Sequence, residues 1–169
     1  MSELLHFNAT TSLLPTEDIL NDVQIDDVVH RFGFKIGRHG FVLEKTLTTE
    51  ILIKPTIYTI PNSPKWVVGM VNLRSNILPV IDLSSVLRMQ YVNNPGDFVL
   101  VIDKGRESIA LLVDDLPKLL KNPTQAEQVS GAEYVAEQYV QPGVMVKGDI
   151  WDQIDIKHLV HGLKDLMEN

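Results

Sequence analysis

His158 and His161 stand three residues apart near the end of the chain. On a helix, that spacing sets two imidazoles on one face, the beginning of a metal site. Only Asp155 is close enough in sequence to act as a third donor, and two exposed histidines near the negative end of a helix dipole explain the spacing without a metal. Asp114 and Asp115 are adjacent, so on a strand they point to opposite faces and make a poor acid–base pair. Asp149, Asp152 and Asp155 flank a turn and a helix start. A calcium loop needs denser oxygen ligands and a terminal bidentate glutamate, so turn and cap chemistry accounts for them. The chain has no cysteine, no Gly-x-Ser-x-Gly elbow and no Gly-x-x-x-x-Gly-Lys loop. No catalytic residue, cofactor-binding residue or metal ligand is therefore assigned, and the chain reads as a protein that is not an enzyme. Trp66 and Trp151 read as core or rim anchors. Arg74 remains, set within the apolar stretch Trp66–Leu83. By itself it reads as a solvated hairpin charge.

A binding module is the better class. Arginine and glutamate on a rigid hairpin make directional contacts around an apolar groove, and a helical partner can lay an apolar stripe into such a groove. The 169 residues carry a formal charge of −7, which argues against nucleic acid or an anionic membrane as the main partner. The absence of cysteine fits a reducing cytoplasm, and no apolar run approaches the length of a membrane span. The expectation is a soluble cytoplasmic protein without membrane insertion.

The positioning elements read mostly as strands. Residues 1–27 form a peripheral N-terminal extension in which Asp18, Asp22, Asp26 and Asp27 interleave with apolar residues. Phe32, Phe34 and Ile36 alternate with Arg31, Gly33 and Lys35, the pattern of a half-buried strand. Gly37–Gly40 turns the chain into a second strand, and Leu47–Ile53, with Glu50 among apolar neighbours, makes a third. Val71 and Leu73 alternate with Asn72 and Arg74, Ser75-Asn76 can turn, and Ile77–Ile81 returns. Pro79 predicts that this return strand is an edge or is bulged there. Asp82 caps a short helix. After a polar loop at 89–96, Phe98–Asp103 and a strand with Ile109, Leu111 and Val113 facing inward form another hairpin. Leu116–Leu120 continues as a bent strand. Residues 121–141 read as a long loop, or a helical turn around Ala132–Gln138. Val144–Lys147 and Ile150–Ile154 pair across Gly148-Asp149. Asp155 caps a last helix, stopped by Gly162, with 164–169 as a tail.

The order repeats. Gly37-Arg38 is echoed by Gly105-Arg106, and Ile81-Asp82-Leu83 by Ile154-Asp155-Ile156. Two similar small β units follow, roughly 28–95 and 96–163, with the two halves open to intertwining. The absence of long helices between strands favours small barrels over a parallel sheet.

Ile60-Pro61-Asn62-Ser63-Pro64, Gly69-Met70-Val71-Asn72-Leu73-Arg74 and Leu78-Pro79-Val80-Ile81-Asp82-Leu83 closely resemble the signature of the CheW-like coupling proteins of bacterial chemotaxis. The likeness spans about Val28 to Gly162. It implies a mainly β fold of two SH3-like five-stranded barrels packed together, with short helices after residues 82 and 155. It also implies a non-enzymatic adaptor, without cofactor, that bridges the cytoplasmic tip of a methyl-accepting chemoreceptor to the regulatory domain of a histidine kinase in membrane-associated arrays. Glu50 and Arg74 match coupling positions of the family, while Gly69 and Asn72 match positions that serve hairpin geometry. Ser75 replaces the family's glycine, which affects the turn if that position has a positive φ. The acidic extension and the Lys65-Trp66 phrasing make the chain similar to variants that serve type IV pilus (twitching) systems. The alternative is a generic two-barrel module that binds a peptide or ligand in another signalling pathway.

Overall fold

The computed structural model describes residues 31–89, 97–103, 105–131 and 137–168. The expected N-terminal extension lies outside these residues, as do most of the 89–96 loop and most of the turn expected around Ala132. The fold is mainly β, with two sheets and few helices. Strands β1 (Arg31–Ile36), β2 (His39–Val42), β8 (Lys118–Leu120), β9 (Thr124–Gln125), β10 (Val140–Val146) and β11 (Asp149–Ile154) form one sheet in the order β8-β1-β2-β11-β10-β9. The other sheet takes β3 (Thr48–Ile53), β4 (Val67–Leu73), β5 (Asn76–Ile81), β6 (Phe98–Asp103) and β7 (Ile109–Val113) in the order β3-β6-β7-β5-β4. A short helix α1 (Leu83–Val86) follows β5, and α2 (Ile156–Glu168) closes the described chain.

The two sheets share one pairing scheme. In each, a tight hairpin opened by a left-handed glycine, Gly37 or Gly105, runs parallel to the second strand of a bulged hairpin: β2 beside β11, and β7 beside β5. The bulges lie in the first strand of each partner hairpin, between Val67 and Gly69 and between Gln141 and Val144. The halves exchange these parts. The N-terminal hairpin β1–β2 completes the sheet of β10–β11, whereas β6–β7 completes the sheet of β4–β5. A cut between residues 95 and 96 therefore divides both sheets, each of which takes strands from either side of it.

Both sheets curl. Leu52 on edge strand β3 and Val71 and Leu73 on the opposite edge strand β4 meet in one apolar cluster. In the other sheet Leu120 of β8 meets Val144 of β10. Between the sheets lies the largest cluster, joining Phe34, Ile36 and Phe41 to Leu100, Ile102 and Leu111. Each such fully buried side chain contributes about 2 kcal/mol, so neither sheet is a separable domain. All five residues of β7 are buried because the strand serves two cores. Ile109, Leu111 and Val113 face the shared one, as their alternation predicts, and Ala110 and Leu112 fill the barrel behind it. Polar links reinforce the join: the Gly37 amide donates to Asp114 Oδ2, and the Asp114 amide to the Lys35 carbonyl at 3.1 Å.

Two expectations need correction. Pro79 lies on neither an edge nor a bulge, since β5 sits between β4 and β7. It is tolerated because its opposite residue, Met70, spends both backbone groups on Tyr58, and because the ladder to β7 covers only Val80 and Ile81. No neighbour requires a proline N–H there. Gly162 does not stop α2 either. The apolar stripe Ile156, Leu159, Val160 and Leu163 runs through it into the shared core, and the helix continues to Glu168. A Cβ at 162 would collide with the buried Tyr139 phenol, so glycine is there for close packing. The caps are as expected. Asp82 accepts from the Ser84 amide at 3.0 Å and the Ser85 hydroxyl at 2.7 Å, and Asp155 Oδ1 accepts from the His158 amide at 3.0 Å.

Candidate interaction site

The β4–β5 hairpin is closed by two residues. Leu73 pairs with Asn76, which leaves Arg74 and Ser75 as the turn, one position earlier than Ser75-Asn76. Both are left-handed, with φ of 50° and 71°, the conformation of a type I′ turn that matches the twist of its strands. Asn72 steadies the turn by accepting the Ser75 amide on Oδ1 at 3.1 Å. Gly69 lies at the bulge, where a Cβ would meet the Tyr58 carbonyl oxygen and Ile57 Cγ2. Without that close approach the Tyr58–Met70 bridge would open. Gly69, Asn72 and Ser75 thus all lie on one hairpin.

That hairpin presents Arg74. Its Nη2 lies 3.0 Å from Glu50 Oε2, and the side chains are 78% and 39% exposed. Glu50 belongs to β3 and Arg74 follows β4, the two edge strands of the five-stranded sheet. The ion pair spans the seam where the barrel closes, near Leu52 and Leu73, which pack against the same apolar cluster. A pair this exposed stabilises by under about 1 kcal/mol. Its greater effect is to hold a planar five-donor group in one orientation while leaving most of it open to a partner. The outward face of the same hairpin is apolar as well. Ile77 and Tyr58 are exposed, with Pro79 and Met70 between them. Sequence reasoning missed Tyr58 and Ile77, although the signal was present: Ile77 and Pro79 alternate with the inward Leu78 and Val80.

The remaining candidates separate. His158 Nδ1 lies 2.6 Å from Asp155 Oδ2, which also accepts Gln141 Nε2 at 2.7 Å. Burial pushes the Asp155 carboxyl up, but the hydrogen bonds from His158 and the Lys157 amide outweigh it and leave the group below its ordinary value. His161 turns toward Asp165 at 3.8 Å. Among the described residues, no group of three or more His, Asp or Glu is placed to hold a metal ion. Asp114 ties the two sheets together, Asp115 pairs with Lys118 on the surface, and Asp152 accepts the Ser130 amide at 2.8 Å. Trp66 packs against the shared core and Trp151 against the barrel of the six-stranded sheet.

The sequence model of the CheW-like domain matches residues 31–163. The probable chemotaxis protein CheW of Rhizobium etli is 26% identical over 119 residues, 70% of this chain and 68% of its own length. The chemotaxis protein CheW of Rhizobium meliloti is 27% identical over 89 residues, 52% of this chain and 57% of its own length. Protein PilI of Pseudomonas aeruginosa is 27% identical over 122 residues, 70% of this chain and 68% of its own length. The crystal structure of the scaffolding protein TtCheW from Thermoanaerobacter tengcongensis superposes with a TM-score of 0.60 at 19% identity, covering 75% of this chain and 88% of that one. Among the described residues, no helix is long and apolar enough to cross a membrane.

Proposed function

The chain belongs to the CheW-like domain family of scaffolding and coupling adaptors, and from that premise we propose that it couples the cytoplasmic tip of a methyl-accepting chemoreceptor to the regulatory domain of a CheA-type histidine kinase. It acts without catalysis, in the cytoplasm, recruited to membrane-associated receptor arrays. The observation that carries this reading is Arg74, fixed by Glu50 on a rigid left-handed turn and mostly open to solvent. Arg74 and Glu50 are the coupling determinants in this proposal, and Gly69, Asn72 and Ser75 set the hairpin that presents them. Co-sedimentation with a receptor cytoplasmic fragment and the kinase tests it. Ternary sedimentation at tens of micromolar or below is expected, and no binding to either component sinks the adaptor reading.

The output is proposed to be a type IV pilus. The likeness to PilI covers as much of this chain as the likeness to the first CheW relative. Deleting the gene is expected to abolish twitching and spare swimming. Loss of swimming alone would assign the protein to a flagellar system.

A further inference from the structure

The six-stranded sheet carries a groove that shares no lining residue with the Glu50–Arg74 seam. Trp151, on β11, lies flat on the β1–β2 hairpin because Gly33 and Gly40 beneath it have no Cβ; a methyl at either position would enter the indole. Lys35 Nζ stands 5.7 Å above the ring. Around this platform Arg38, His39, Asp149 and Ile150 help to line an open cavity of about 280 Å³. Lys35 and Arg38 are exposed, and among the described residues neither makes a close ion pair, although Asp115 feels the Lys35 charge. Among the residues that line the cavity, the two cations Lys35 and Arg38 thus stand against one carboxylate, Asp149, on a chain whose formal charge is −7. The proton affinity of His39 is lowered by burial first and by Arg38 second, and Asp152 opposes the shift.

We propose that this groove binds an acidic peptide segment of a partner protein, taking one carboxylate beside one apolar side chain. Lys35 and Arg38 supply the charge, and an arginine fork donates two parallel hydrogen bonds to a carboxylate. Ile150 and the indole rim pack the apolar neighbour. Asp149 on the rim selects a peptide over a phosphate, because it repels a dianion and accepts a backbone N–H. A volume near 280 Å³ is at the small end of ligand sites and suits a pair of side chains rather than a cofactor. The site uses none of the residues assigned to coupling, so it stands or falls apart from that reading.

Tryptophan fluorescence tests it with neither receptor nor kinase present. The chain has two tryptophans, so in a Trp66→Phe variant Trp151 is the sole indole. A short capped peptide of alternating glutamate and leucine is expected to change its emission saturably. Its glutamine counterpart should bind about tenfold more weakly, the size of one charge-assisted contact. Arg38→Glu, on an exposed turn, should abolish the change while circular dichroism stays that of the parent, and about 1 M salt, where the Debye length is near 3 Å, should weaken it. No saturable change, equal binding of the glutamine peptide, or parental binding by Arg38→Glu overturns the proposal. A change seen only after residues 1–27 are removed also overturns it, assigning the groove to the chain's own acidic segment.

Discussion

Ser75 and Gly148 hold the same place in two equivalent turns. Each is the second residue of a two-residue type I′ loop that closes a bulged hairpin, with φ of 71° and 90°. They are 73 residues apart, since 148 − 75 = 73, and the capping aspartates Asp82 and Asp155 repeat at the same interval. A side chain in the left-handed region costs about 1–2 kcal/mol, against about 0.5–1 kcal/mol of extra chain entropy lost by glycine. Ser75→Gly should therefore stabilise the protein by about 0.5–1 kcal/mol and raise Tm by about 2–3 °C. Gly148→Ser should do the reverse. Calorimetry on both variants checks this, and a fall in Tm with Ser75→Gly would mean that the serine side chain contributes something the backbone does not reveal.

Glu50 and Arg74 separate stability from coupling. Their ion pair is exposed, so Arg74→Glu or Glu50→Arg should each cost under about 1 kcal/mol in urea unfolding. Arg74→Glu should nevertheless lower receptor–kinase coupling by tenfold or more, the order of one lost charge-assisted contact. The swapped double variant should regain the stability but not the coupling, because the arginine then stands on β3 instead of the turn. Wild-type coupling by a folded Arg74→Glu variant would remove Arg74 from the site.

Much of this was legible in the sequence because it is local. Alternation marked β1 and the inward face of β7, and aspartates marked both helix starts. The misplaced features depend on partners distant in sequence. Pro79 looks like an edge residue until Tyr58 is known to occupy the backbone of Met70. Gly162 looks like a helix stop until Tyr139 is placed beneath it. Turn positions slipped by one residue because Arg74, Ser75 and Lys147 adopt positive φ without being glycine. The exchange of hairpins between the halves left no local mark, and neither did the seam that joins Glu50 to Arg74.

Acid should destabilise the protein in two steps. His39 has a folded-state pKa below its ordinary 6.5, through burial first and Arg38 second. The unfolded chain therefore takes up the proton more readily, and stability that is complete above pH 6.5 falls as the pH drops through the lowered value. Asp155 is held below its ordinary 3.8, because hydrogen bonds from His158 and the Lys157 amide outweigh the burial that raises it. Its contribution is present above pH 3.8 and disappears as the pH falls through the folded value. Thermal midpoints measured from pH 8 to 3 should show both steps. His39→Gln should remove the upper step and leave the lower one, and an unchanged upper step would assign it to another group.

The close approach of α2 to Tyr139 gives the sharpest packing test. Gly162→Ala gains about 1 kcal/mol of helix propensity. Its new methyl, however, enters the space of the Tyr139 phenol, with Cζ at 2.8 Å and Oη nearer still. Tyr139 is 7% exposed and its ring belongs to the shared core, so it has little room to yield. Overpacking of this kind costs about 1–3 kcal/mol, and the net effect should be destabilising. Tyr139→Phe removes the atom in closest conflict, so the double variant should be less destabilised than the sum of the singles, by about 0.5 kcal/mol or more. Urea unfolding of the four proteins measures that coupling. A Gly162→Ala variant more stable than its parent would show that α2 can lift from the core without cost, and that the stop expected at Gly162 was closer to the physics than the packing.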